Sequence, residues 1–228
     1  MKLTGILVDF FFPPRCFVCG KIGQWLHPDC RKSLPYITQS YCLVCGAPFN
    51  GVRCYSPLCS MPSRSLDTAG SVFIHIGAIR QAVLKLKYRG VRAVSGVLGA
   101  EMAEAIKQRG WLDSDLLIPV PLHRTHLQER GYNQAGLLAE SISEVCKLEI
   151  DEIQLARIRQ TRSQIGLGLR ERAENVANAF EWRGASLIGK NILLVDDVCT
   201  TGATLNACAT VLKAAGANLV RAITLTRE

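Results

Sequence analysis

The run Ile192-Leu193-Leu194-Val195-Asp196-Asp197-Val198-Cys199-Thr200-Thr201-Gly202-Ala203-Thr204 gathers two adjacent carboxylates, three hydroxyls and a glycine behind four aliphatic residues. Small residues let backbone N–H groups approach a phosphate closely. A helix opening at such a turn supplies unsatisfied donors and a partial positive charge. Three threonine hydroxyls add further donors. The carboxylates would repel a phosphate, so they need a different partner. Carboxylates accept hydrogen bonds from paired sugar hydroxyls and help to hold Mg²⁺ directly or through water. Together the residues ask for a phosphorylated ribose; taken singly, they also read as a capped turn and a capped helix.

A second set concerns metal. Cys16-x-x-Cys19 precedes His27-x-x-Cys30, and Cys42-x-x-Cys45 precedes Cys54 and Cys59. These eight soft or borderline ligands would fill two tetrahedral Zn²⁺ sites. Both pairs open knuckle-like turns, Cys-Phe-Val-Cys-Gly and Cys-Leu-Val-Cys-Gly. Sequential sites and a cross-braced exchange of the two pairs both satisfy the spacing. Four-ligand sites are closed, so they serve structure rather than catalysis.

Three basic groups complete the inventory. Lys85, Lys87, Tyr88, Arg89 and Arg92 cluster at the end of a helical pattern, where Lys87 could hold a diphosphate or where all could line a solvated face. His123-Arg124-Thr125-His126 with Arg130-Gly131-Tyr132-Asn133-Gln134 combines charge, ring and amides able to stack on a base and read its edges, or to pack a connecting loop. Arg157, Arg159, Arg162, Arg170 and Arg172, interrupted by Gly166 and Gly168, suit a loop that closes over a leaving diphosphate, or a basic tether.

The elements that must position these residues follow from periodicity. Strands are expected at 69–76, 115–121, 153–156, 191–195 and 219–225, with helices at 79–88, 94–107, 134–145 and 203–215. Residues 157–172 are expected to form a loop. Gly216 stands where a helix C′ glycine belongs. Strand, turn, helix and strand at the C-terminal end make a βαβ unit, so the sheet is parallel. The first 65 residues differ: cysteines and prolines dominate and periodicity is weak, as in a small module that needs a staple. The boundaries are therefore 1–65 for a zinc-binding module and 66–228 for an α/β domain.

The bulk numbers agree. The chain has 228 residues, 48% hydrophobic, and a net charge of +8, which favours phosphate-rich partners. The apolar stretch 3–12 carries Asp9, lacks a cleavage site and is too short to span a bilayer, so it reads as a short helix or arm on the body of a cytosolic protein, with a membrane-surface anchor as the alternative. A reducing cytosol favours metal over disulfides for seven cysteines placed between Cys16 and Cys59.

The 192–204 run resembles, at every position, the phosphate-loop motif of type I phosphoribosyltransferases. In that family the acids corresponding to Asp196 and Asp197 hold ribose hydroxyls, and Thr200, Thr201, Gly202, Ala203 and Thr204 hold the 5′-phosphate. Further matches follow in order: the cysteine pairs, Leu86-Lys87-Tyr88, Pro119-Val120-Pro121-Leu122, Arg130-Gly131-Tyr132-Asn133-Gln134, then Gln164, Leu167, Arg172, Asn175 and Phe180. That series is similar to the ComF competence family, including its GntX-like DNA-utilisation branch. The resemblance implies a phosphoribosyltransferase-like sheet behind a double zinc ribbon, with sequential zinc sites; a Cys often stands there in place of His27. It implies phosphoribosyl diphosphate with Mg²⁺ as ligand, Lys87 at the diphosphate loop, Arg159 in the mobile catalytic loop and Tyr132 at the pocket rim. It further implies single-stranded DNA handling with competence proteins at the cytoplasmic face of the inner membrane. An active phosphoribosyltransferase of nucleotide metabolism, with Asp197, Lys87 and Arg159 catalytic, is the alternative.

Overall fold

The structure, a computed structural model, describes residues 13–37, 41–49, 51, 53–61, 63–88, 93–159, 176 and 178–228. The expected arm at 3–12, Arg89, Arg92 and most of the basic loop lie outside the described residues. In chain order the elements are α1 (Pro28–Lys32), β1 (Thr68–Ile74), α2 (Gly77–Tyr88), α3 (Ala93–Gln108), β2 (Leu116–Pro119), α4 (Arg124–Arg130), α5 (Gln134–Cys146), β3 (Glu149–Ile150), β4 (Leu155–Arg157), β5 (Phe180–Trp182), β6 (Asn191–Cys199), α6 (Ala203–Ala214) and β7 (Leu219–Arg227).

Among the described residues one sheet carries five strands in the order β1-β7-β6-β2-β3, and every pairing is parallel. Side chains alternate across a strand, so β6 supplies both cores. Ile192 and Leu194 pack with Leu205, Cys208, Ala209 and Leu212 of α6. Leu193 and Val195 pack with Leu98 and Met102 of α3 and Leu138 and Ile142 of α5. The chain leaves β2 outward to β3 and leaves β6 outward to β7. The sheet therefore changes direction between β2 and β6, and beyond their carboxyl ends lies the crevice where open α/β sheets bind ligands.

The cysteine-rich segment covers an edge. Strand β1 is outermost, and its free side would present unpaired backbone groups. Ile37 N–H donates to Val72 O at 2.9 Å, Ile74 N–H to Pro35 O at 2.9 Å, and Ala69 N–H to Val44 O at 2.8 Å. The two halves of the segment also join opposite cores. Phe17 and Leu34 pack with Phe73 and α3, while Cys42, Cys45, Ala47 and Leu58 pack with α6.

Several expectations are corrected. β6 does not end at Val195 but continues through both aspartates, with Val198 opposite Thr226 and Cys199 opposite Arg227. The strand expected at 153–156 is Leu155–Arg157, paired antiparallel with β5 outside the main sheet. The reason is local: Asp151 Oδ1 accepts from the amides of Ile153 and Gln154 at 2.9 and 2.8 Å, holding those residues in a turn. Arg157 accordingly lies in a strand rather than in the expected loop. Residues 124–130 form a helix that periodicity did not reveal, opened by the His123 ring accepting from Thr125 N–H and closed by Gly131 at φ 74°. Ser65 and Leu66, on either side of the expected module boundary, are pinned by their amides to Asn206 Oδ1 at 2.8 and 3.1 Å.

Candidate ribose-phosphate site and zinc clusters

The turn after β6 is built as a cradle. Gly202 occupies the N-cap of α6 with φ 79°, and no side chain caps it. That backbone conformation favours glycine, and space requires it too: a Cβ at Gly202 would stand 3.0–3.2 Å from Leu58. Thr201 Oγ1 accepts from Ala203 N–H at 3.3 Å. Among the described residues the amides of Thr200, Thr201 and Gly202 donate to no backbone carbonyl outside the helices and strands. Thr201, Gly202 and Ala203 are buried, whereas Thr200 and Thr204 reach the surface in part. The cradle thus offers uncommitted donors at the positive end of a twelve-residue helix.

The aspartates diverge because neighbours on a strand face opposite ways. Asp197 is buried and meets the Lys87 ammonium at 2.5 Å, at the end of α2. Its Oδ1 accepts from Gln134 Nε2 at 3.4 Å, at the start of α5. Asp196 accepts from the Asp197 amide at 2.8 Å. Burial and the Asp197 charge push the Asp196 carboxyl well above the usual carboxylate range. Burial also opposes ionisation of Asp197, but the Lys87 ammonium overrides it and holds Asp197 low. Lys87 is affected by the same pair: burial works against its charge, and Asp197 raises its pKa regardless. The site accordingly separates one firmly ionised acid from one that keeps its proton more readily.

The segment after β2 reaches the same end of the sheet. Tyr132 OH donates to Leu86 O at 2.5 Å, tying this loop to the turn of α2 that carries Lys87. Asn133 caps α5 through Ala135 N–H and donates to Val120 O at 3.0 Å. The structure therefore brings together Asp197, Lys87 and Gln134, with Tyr132 as a brace. Tyr88 closes α2 beside Lys87. Arg159 lies exposed just beyond β4, and residues 160–175, with Arg162, Gln164, Leu167, Arg170, Arg172 and Asn175 among them, are outside the described residues. Gln134, one of the group read as able to contact a base or to pack a loop, donates to Asp197.

Two contacts went unforeseen. Leu58, fully buried, seats against Gly202. Arg227 Nη1 donates to Cys45 O at 2.7 Å and contacts Cys199 Sγ at 3.4 Å, while its Nη2 donates to Ser56 Oγ at 2.9 Å. Neither residue belongs to a motif; an arginine near the end of an apolar strand is the one sequence signal that could have pointed to the second.

The cysteines resolve the ligand assignment. Cys16, Cys19, His27 and Cys30 form one cluster and Cys42, Cys45, Cys54 and Cys59 another, with ligand atoms in each within 4.8 Å of one another. The arrangement is sequential rather than cross-braced. In the first, Cys19 Sγ lies 3.3 Å from His27 Nδ1. In the second, Cys42 to Cys59 and Cys45 to Cys54 are each 3.6 Å. Burial raises the Cys16 and Cys42 thiols, yet amides of Cys19 and Cys45 respectively help draw them down to about 6 and about 7, so thiolates form readily. Four soft donors at this spacing fit structural Zn²⁺. Among the described residues no helix is long and apolar enough to cross a membrane.

Comparison with known proteins agrees with this architecture. A double zinc ribbon domain model matches residues 7–61, and a phosphoribosyl transferase domain model matches residues 128–228. The chain is 34% identical to DNA utilization protein YhgH of Escherichia coli O157:H7, over 94% of this chain and 97% of that protein. It is 27% identical to competence protein F of Haemophilus influenzae, over 95% and 98% of the two chains. It is 28% identical to competence protein ComFC of Bacillus subtilis, over 88% and 83%. With its paired cysteine clusters, parallel sheet and threonine–glycine turn, the chain belongs to the competence protein F and DNA utilization family of phosphoribosyltransferase-like proteins with an N-terminal double zinc ribbon.

Proposed function

We propose that the crevice between the loops after β2 and β6 binds phosphoribosyl diphosphate, or a 5′-phosphorylated ribose, and that the chain uses this grip to handle single-stranded DNA entering the cell. The supporting observation is the junction itself, where uncommitted amides at Thr200–Gly202 lie a few residues from Asp196 and Asp197 at the sheet's switch point. The amides and threonines take the 5′-phosphate. Asp196 and Asp197 take ribose hydroxyls, directly or with Mg²⁺ that also bridges a diphosphate. Lys87 faces the diphosphate side, where its charge offsets that group's. Names of relatives containing "competence" and "DNA utilization" support the cellular role, as does the net charge of +8. Partners on this reading are competence proteins at the cytoplasmic membrane face.

A second reading keeps the same ligand but adds turnover. The Lys87–Asp197 pair favours it, because a fixed cation beside a leaving diphosphate is what transfer of the ribosyl group to a nitrogen nucleophile needs. Arg159 would then complete the site. Assays of diphosphate release with a panel of nitrogenous bases separate the two. Single-stranded DNA binding with no release of diphosphate supports the handling role, whereas steady release abolished by Lys87→Ala supports the enzyme. Neither DNA binding nor release would overturn both.

A further inference from the structure

The phosphate turn does not face the ribose crevice alone. On its Thr200 side lies a second cavity of 650 Å³, whose other wall belongs to the second zinc ribbon: Phe49, Arg53, Tyr55 and Pro57, with the buried Arg227 and the exposed Glu228 also lining it. Its size is in the range of sites for small organic ligands and accommodates a nucleotide. Tyr55 is 80% exposed, and the Arg53 guanidinium lies over its ring at 5.7 Å from the centroid. An exposed ring paired with a cation suits a stacked base beside a phosphate strand.

We propose that this cavity receives the penultimate nucleotide of a single-stranded DNA whose 3′-terminal nucleotide occupies the ribose-phosphate crevice; this rests on the reading that the crevice takes a 5′-phosphorylated ribose. The polarity follows from chemistry. Deoxyribose has one ring hydroxyl for the aspartates to grip, at C3′, and within a strand it is free only at the 3′ end. The 5′-phosphate of that terminal nucleotide is a diester that continues to the O3′ of the nucleotide before it. A monoester needs no room beyond its terminal oxygens, yet here room lies beyond the turn and is walled by a ring and an arginine. The two compartments also hold a fixed distance. Leu58 packs on Gly202, and Arg227 ties Cys45 O and Ser56 of the ribbon to Cys199 of the turn. A fixed span between phosphate cradle and stacking wall is what measuring one nucleotide step requires.

The test uses the full zinc-loaded chain and fluorescence anisotropy with a 5′-labelled oligo-dT ending in a 3′-hydroxyl or in a 3′-phosphate. The 3′-phosphate should weaken binding at least tenfold, and ribose 5-phosphate should displace the 3′-hydroxyl strand. Tyr55→Ala and Arg53→Ser, with zinc content and Tm verified, should each weaken the oligonucleotide roughly tenfold, the scale of one lost stack. Both should leave calorimetric affinity for ribose 5-phosphate unchanged. Equal binding of the two strand ends, or folded variants that bind DNA like the parent, would overturn the proposal while leaving the ribose-phosphate reading intact. Failure of ribose 5-phosphate to bind the parent chain would overturn both.

Discussion

At the scale of single residues, the contrast between Asp196 and Asp197 has consequences that can be measured. Asp197 has a folded pKa below its ordinary value, so the stability its ion pair contributes is present above the usual carboxylate range and is lost as pH falls through that lowered pKa. Asp196 behaves oppositely. Its folded pKa is raised, so its contribution is fullest below the ordinary value and is lost as pH rises. Asp196→Asn should therefore raise Tm at neutral pH by roughly 2–4 °C, the effect of about 1 kcal/mol in a chain of this size, and erase ligand affinity in the same variant. Thermal melts of parent and variant should converge as pH is lowered toward 4; a constant difference across pH would contradict the assignment. Both acids were legible in the sequence because the turn chemistry is local. That Lys87 and Gln134 converge on Asp197 was not, since three separate elements meet there.

At the scale of elements, the turn Thr200–Gly202 depends on a partner far away in the chain. Gly202→Ala must place a side chain in left-handed backbone, costing roughly 1–2 kcal/mol, and must also displace Leu58. The expected result is a lower urea midpoint with unchanged slope, together with weaker phosphate binding; an unaffected midpoint would show that Leu58 does not press on the turn. The zinc clusters should differ as well. Cys45 is fully buried in the core that holds α6, whereas Cys19 is exposed. Cys45→Ser should thus release one zinc per chain and lower Tm more than Cys19→Ser, read by metal analysis and melting; the reverse order would contradict the packing. Long periodic elements such as β6 and α6 were plain in the sequence. Short ones were not: α4 spans seven residues and β3 two, too few to display a period. The pinning of Ser65 and Leu66 was not legible because their anchor, Asn206, lies on α6.

At the scale of the molecule, the boundary near residue 65 separates two compositions but not two cores. The ribbons pair with β1 and pack into both faces of the sheet, so the zinc segment is an edge-cover of the α/β body. Composition reported the change in chemistry and could not report the docking. The basic balance of +8 also acts at this scale: affinity for single-stranded DNA should fall steeply as salt rises, while affinity for a mononucleotide-sized ligand falls less. All of it depends on a sugar-phosphate seated over Asp196, Asp197 and the threonine turn. Isothermal calorimetry with phosphoribosyl diphosphate and Mg²⁺, on the parent chain and on Asp196→Ala/Asp197→Ala with verified zinc and fold, tests that most directly. The account predicts one site per chain in the parent and at least a hundredfold loss in the variant; no binding to the parent, or equal binding to both, would contradict it.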